Sequence, residues 1–118
     1  MPDKNVESMF ERFTWRMLAN HVSPWELEQL KKRIERWDDW CAEFSRLAHE
    51  HVRAGDEAAA AGRKLSAGNA YVRAASIYHW ASFYFVHHPA QFRAALEAAR
   101  DCYERAAPLV SPAMELLE

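Results

Sequence analysis

Cysteine, glycine and excess charge are all scarce in this sequence, and each scarcity excludes a class of protein. The only cysteines, Cys41 and Cys102, are far apart and lack metal-ligand spacing, which predicts reduced thiols rather than a disulfide framework. Three glycines among 118 residues, with a hydrophobic fraction of 50%, do not fit a disordered or low-complexity chain. The formal net charge is -2, so the sequence offers no basic stripe for nucleic acid.

Signals for export and for membrane insertion are also missing. Met1–Val6 is polar and acidic, whereas a signal peptide needs a basic start and an apolar run. The apolar stretch 67–86 contains Asn69, Arg73 and His79, which argues against a membrane span. We therefore expect a cytoplasmic protein with no membrane partner.

Every periodic segment has helical spacing, and no segment alternates in the manner of a strand. This pattern predicts an all-α fold, an irregular antiparallel bundle of about five helices joined by short loops. The predicted helices cover Val6–Asn20, Pro24 to about Arg36, Trp37–Ala61, Ser66 to His88, and Pro89 to about Ala106.

Local signals mark several of these boundaries. Ser23, Pro24 and Glu26 form a capping box with proline at the first helical position. Gly62 suits the residue that follows a helix, and Ser66 suits an N-cap. One face of the third helix is an apolar seam formed by Trp40, Phe44, Leu47, His51, Ala54, Ala58 and Ala61. Because the side chains become smaller along this seam, a partner helix is predicted to approach most closely at its alanine end.

The fourth predicted helix is apolar on nearly every side. One row contains Ala70, Ala74, Ile77, Ala81 and Tyr84, and a second row contains Tyr71, Ala75, Tyr78 and Phe85. A helix that is apolar all round has to be covered all round. A chain this short has little material for that cover, so the pattern predicts a partner surface beyond the chain.

Catalytic and metal-binding motifs are absent. His49-Glu50-His51 lacks the four-residue histidine spacing of a zincin, and His51 is interpreted as a satisfied core histidine. His87 and His88 would point about 100° apart on a helix, so a role at a helix end is favoured over a metal pair. No Gly-x-Ser-x-Gly elbow is present. The sequence therefore predicts no catalytic residue, no metal and no cofactor.

Four residues of the fourth helix remain as pocket-lining or interdomain candidates: Tyr71, Arg73, Tyr78 and His79. A buried arginine needs a partner, and Asp56 or Glu57 near the turn between the third and fourth helices is predicted to supply it. The tyrosines and His79 could line a pocket with their polar ends, although core tyrosines with satisfied hydroxyls are the competing interpretation.

The same helix resembles a known type of domain. Gly62-Arg63, Ser66-Ala67 and the run YVRAASIYHWA at 71–81 resemble the N-terminal helical domain of a group of α/β-hydrolases. That group includes 2,6-dihydropseudooxynicotine hydrolase and the fungal polyketide-shortening hydrolases of the yellowish-green type. The resemblance covers roughly residues 37–108 and extends more loosely over 1–36.

The resemblance implies a non-catalytic cap, or lid, with the substrate pocket between it and a catalytic domain that carries the triad. It implies a cap-like domain at 1–107 and an exit linker at 108–118, separated from the hydrolase domain by truncation, cleavage or a split subunit. The parent enzyme would cleave C–C or ester bonds next to a carbonyl, and a homo-oligomer is expected. The alternative is a helical-hairpin scaffold of the tetratricopeptide type, although no repeat of about 34 residues is visible.

Overall fold

The computed structural model describes residues 3–110, which are almost entirely helical. Five α-helices follow one another in this part of the chain, and a 3-10 helix at Trp37–Asp39 leads into the third. The α-helices are α1 Lys4–Ala19, α2 Pro24–Arg33, α3 Trp40–Ala60, α4 Lys64–Ser82 and α5 Pro89–Ala106. The predicted all-α class is confirmed. None of these helices is long and apolar enough to cross a bilayer.

Helix boundaries follow the capping signals with two exceptions, both in α4. The capping box is present, since Ser23 and Glu26 exchange both hydrogen bonds at the start of α2. Gly62 ends α3 in the left-handed region, with φ of 76°. In contrast, α4 begins before Ser66, with Arg63 at its N-cap, and it ends at Ser82 rather than His88 because Phe83 is already extended.

Helix α4 lies between α3 and α5 and forms the centre of the bundle. Trp40 is fully buried at the start of α3, and its indole Nε1 donates a hydrogen bond of 2.9 Å to the carbonyl oxygen of Trp80 near the end of α4. Phe44 stacks on Trp40 with a centroid distance of 4.5 Å. These contacts fix the beginning of α3 against the C-terminal end of α4, where the α4–α5 loop leaves the bundle.

The seam of α3 differs from the predicted one beyond its first two turns. Ala54 and Ala61 are exposed, while Ala48 and Gly55 are buried. A Cβ on Gly55 would lie only 2.6 Å from Cε1 of Tyr71. The Tyr71 ring of α4 therefore packs directly on the backbone of α3 at Gly55, because the missing Cβ leaves space that alanine does not.

The prediction that α4 has no solvent face is wrong, and most of its cover comes from the chain itself. Eleven of its 19 residues are buried by the rest of the chain. Beyond its first turn, the exposed residues of α4 are Asn69, Arg73 and His79. Helix α1 supplies part of the cover, since Phe13 packs on Trp80 with a centroid distance of 6.0 Å.

The predicted exit linker begins by packing on the bundle. Leu109 and Val110 are half-buried against α4, and a Cβ on Gly68 would meet Cβ of Leu109 at 2.9 Å. Gly68 is therefore required for this contact. The remainder of the predicted linker, 111–118, lies outside the described residues.

Candidate functional site

The four candidate residues of α4 do not form one site. Tyr71 is buried against α3 and α5, Arg73 is exposed, Tyr78 is half-buried, and His79 is exposed on a different side. Each therefore has its own surroundings and its own role. Two grooves open beside these residues, one around His79 and one at the loop that follows α4.

Tyr71 belongs to a polar network that joins three helices. Its hydroxyl donates to Oδ1 of Asp56 at 2.7 Å and accepts from Nη2 of Arg105 at 2.9 Å. Arg105 also pairs with Asp56 and lies 4.2 Å from the centre of the Tyr71 ring. The hydrogen bond from Tyr71, together with Arg105, lowers the pKa of Asp56, while burial and Asp56 raise the pKa of Tyr71. This is a structural tie, as the core-tyrosine interpretation predicted.

The expected burial of Arg73 is wrong, and so is its expected partner. Arg73 is exposed on α4, where an arginine needs no buried counter-charge. Asp56, one of the two predicted acids, is bound by Arg105 from α5 instead. The pairing of Arg105 with Asp56 is not predicted by the sequence, because helical periodicity does not show which helix faces Asp56 and Tyr71.

Tyr78 and the two cysteines are parts of the core. Burial raises the pKa of Tyr78 and of Cys41, and it raises the pKa of Cys102 to about 11. Both cysteines are buried and unbonded to each other. Such thiols are poor nucleophiles at neutral pH because almost none of the thiolate is present.

His79 lines a groove of about 300 Å3 between α1, α4 and α5. Its walls combine aromatic surface with polar groups, and its lining residues are Arg16, Asn20, Ser76, His79, Trp80, Phe83, Ala99 and Tyr103. The Ser76 hydroxyl is already used, since it donates to the Asn20 carbonyl at 2.6 Å. Of the four sequence candidates, only His79 lines this groove.

The loop between α4 and α5 carries an exposed aromatic residue in an unusual backbone conformation. Tyr84 has φ of 58° and its side chain is 61% exposed, and Val86 is 68% exposed. The Tyr84 ring packs on two other rings, with a centroid distance of 4.5 Å to Phe83 and 6.1 Å to Phe13. Left-handed backbone is unfavourable for a bulky side chain, and such residues cluster at functional sites.

The same loop brings two histidines to the start of α3. His87 Nε2 is 2.9 Å from Oδ1 of Asp38, and His88 Nε2 is 3.5 Å from the same oxygen. The hydrogen bond from His87 is the main cause of a lowered pKa at Asp38. His88 is the N-cap residue of α5, but its side chain makes no capping hydrogen bond. The prediction of a helix-end cap is therefore wrong for the side chain.

This cluster is not predicted by the sequence, because the apolar pattern places both histidines on a helix. The helix ends at Ser82, so the two rings are on loop backbone and can converge. Pro89 predicts that His88 is out of helical geometry, but it does not indicate that the helix ends six residues earlier. An open groove of about 550 Å3 adjoins the cluster, lined by Asp3, Asn5, Arg36, Trp37, Asp38, Tyr84, Val86 and His87.

A nucleophile paired with a base is not found among residues 3–110. The serine and cysteine side chains in this range form no hydrogen bond to an imidazole; Ser82, for example, donates to a carbonyl oxygen at 2.8 Å. What the loop region offers is instead an exposed aromatic surface flanked by two grooves. No protein-family model, curated protein or solved structure matches this chain.

Proposed function

We propose that this chain is a non-catalytic cap domain of an α/β-hydrolase, and that the α4–α5 loop contacts the catalytic domain. The observation that carries the proposal is the exposed, left-handed Tyr84 beside exposed Val86. Within residues 3–110, both side chains remain largely exposed. A partner surface that buries both would offset the conformational cost.

The two grooves beside the loop fit the role of shaping a substrate pocket. The groove at His79 is partly apolar and carries the cationic Arg16, a combination suited to a substrate with aromatic and carbonyl groups. A cap laid over a catalytic domain would close such a groove and exclude water from it. The resemblance of 71–81 to hydrolase cap domains supports the same assignment, with C–C or ester bonds next to a carbonyl as the substrate class.

The arrangement of the helices favours a cap over a tetratricopeptide-type scaffold. In a repeat array each helix pair contacts only its neighbours and stacks into a superhelix. Here α1, which is not next to α3 or α4 in the sequence, contacts α3 through Phe10 and Trp40 and α4 through Phe13 and Trp80. One bundle organised around a central helix is the architecture expected of a cap.

The test has a genetic part and a binding part. The coding sequence around this chain should contain a strand, a Gly-x-Ser-x-Gly turn and a helix in the same or a neighbouring reading frame. The domain it encodes, purified separately, should bind this chain. Tyr84→Ala combined with Val86→Ser should weaken that binding by at least about tenfold, since central aromatic contacts dominate interfaces.

The matched control is Leu65→Ser, because Leu65 is also exposed but is at the other end of α4. It should leave the affinity unchanged. Absence of any hydrolase segment, or equal loss of affinity in the control, contradicts the proposal. The chain alone should not hydrolyse a nitrophenyl ester above the buffer rate. Self-association through the same loop would appear as a mass increase in sedimentation that the double variant abolishes.

A further inference from the structure

We propose that Asp38, His87 and His88 form a binding site for a divalent transition-metal ion of the zinc class. Their donor atoms lie within 4.8 Å of one another at the edge of the bundle. This inference is independent of the cap assignment, because it depends only on the geometry of these three side chains.

The separations are those of ligands around one ion. Two ligands bound about 2.1 Å from a tetrahedral ion are about 3.4 Å apart. The distances from Asp38 Oδ1 are 2.9 Å to His87 Nε2 and 3.5 Å to His88 Nε2. All three side chains are partly exposed, so an ion can reach them and the rings have room to adjust.

The surrounding residues orient the three donors before an ion arrives. His87 stacks on Trp37 at 6.3 Å, with 24° between the rings, and His88 stacks on fully buried Phe85 at 5.7 Å, with 27° between the rings. Arg36 Nη2 is 3.3 Å from Oδ2 of Asp38 and leaves Oδ1 directed at the histidines. In known metal sites the ligands are oriented in the same way, by apolar side chains around them and by hydrogen bonds to the ligating carboxylate, such as the one from Arg36.

The donor types select the class of ion. Two imidazole nitrogens and one carboxylate suit Zn²⁺ and its transition-metal neighbours, whereas Mg²⁺ and Ca²⁺ prefer oxygen ligands throughout. Three protein ligands leave a fourth position for water or for a donor from another molecule. A bound ion would join the α4–α5 loop to the segment that precedes α3, and would therefore hold the exposed loop in place.

The experiment is a calorimetric titration of the purified chain with ZnCl₂ in a buffer that does not chelate, with MgCl₂ as the comparison salt. One Zn²⁺ per chain should bind, and Mg²⁺ should give no heat. His88→Ala should weaken Zn²⁺ binding by at least about tenfold, since even indirect supports of a ligand contribute that much. His49→Ala is the matched control, because His49 is exposed on α3 away from the cluster, and it should change nothing.

A second measurement uses the wild-type chain alone, so it does not depend on whether a variant folds. In the wild-type chain, Zn²⁺ should shift the imidazole NMR signals of His87 and His88 and leave that of His49 in place. Equal loss of affinity in His88→Ala and His49→Ala, or shifts spread over all the histidines, would show unspecific surface binding and overturn the site. The absence of Zn²⁺ heat in the wild-type titration would overturn it as well.

Discussion

Glu26 uses its two carboxylate oxygens for two different helices. Oε1 accepts from the backbone nitrogen of Ser23 at 2.9 Å and completes the capping box of α2, while Oε2 is 2.6 Å from Nε2 of His51 on α3. Burial alone would raise the pKa of Glu26, but the hydrogen bonds from His51 and Ser23 outweigh it and lower the pKa from 4.5 to about 2. The hydrogen-bond partner of His51, the predicted core histidine, is thus Glu26, which the sequence predicts only as part of a capping box.

The first prediction concerns the pH dependence that this pair produces. A carboxylate whose pKa is lower in the folded state stabilises the fold above its unfolded pKa, and this contribution is lost as the pH falls. Glu26→Gln should lower the free energy of unfolding by about 2 kcal/mol at pH 7, because it removes a charged cap and a partner of His51. The difference between wild type and variant should shrink between pH 4.5 and about 2.

Urea denaturation at a series of pH values measures this difference. Glu28→Gln is the control, since Glu28 is on the same helix but is exposed and reaches only Lys31, at 3.9 Å. It should change stability by less than about 0.5 kcal/mol at every pH. A Glu26→Gln effect that is constant with pH would show that the carboxylate charge does not support the fold.

The second prediction concerns Gly55. Alanine normally stabilises a helix by about 1 kcal/mol relative to glycine. Here the added Cβ would lie 2.6 Å from Tyr71, whose hydroxyl is held by Asp56 and Arg105. Gly55→Ala should therefore destabilise the chain by about 1–3 kcal/mol, as overpacking does.

The check is a thermodynamic cycle with Tyr71→Ala. In that background the ring is gone, so Gly55→Ala should become neutral or stabilising. Additive effects of the two substitutions would contradict the proposed clash. Denaturation midpoints of the four chains are sufficient to decide.

The third prediction separates Arg73 from Arg105. Arg73→Ala should change stability by no more than about 0.5 kcal/mol, because the side chain is exposed on α4. Arg105→Ala should cost about 1 kcal/mol, since it removes a partly exposed ion pair with Asp56 and a guanidinium stacked on Tyr71. Thermal melts of the two variants, and of Arg105→Ala with Asp56→Ala, provide the comparison. A larger effect at Arg73 would restore the original expectation of a buried arginine.

These residues show what could be predicted from the sequence and what could not. Capping signals are local, so the boundaries at Ser23, Gly62 and Pro89 were found correctly. Periodicity gave the number of helices, but it could not tell which turn of α3 faces α4, and so it missed the role of Gly55. Nor could it place Arg105 next to Asp56, because that pairing depends on how two helices far apart in sequence pack together.

The candidate site was missed for a related reason. His79 was identified, but Tyr84, His87 and His88 were read as part of a helix that in fact ends at Ser82. The helix stops early because Phe83 is extended and Tyr84 is left-handed, and neither conformation is signalled by a glycine. A run of aromatic residues fits an apolar helix and an exposed loop equally well when only the sequence is read.

The fourth prediction follows from that backbone at Tyr84. Left-handed geometry costs a side chain with a Cβ about 1–2 kcal/mol, and glycine avoids this cost. A β-branched residue suffers more than tyrosine, because its χ1 angle is also restricted. Tyr84→Gly should therefore be more stable than Tyr84→Val by about 1–2 kcal/mol, although glycine is ordinarily the less stable of the two in ordered segments. Val86→Gly is the neighbouring control and should give no gain in stability relative to wild type.

If the stability of Tyr84→Val in urea denaturation matches or exceeds that of Tyr84→Gly, residue 84 is not held in the left-handed region in solution. A partner surface would then have no backbone strain to offset at this loop.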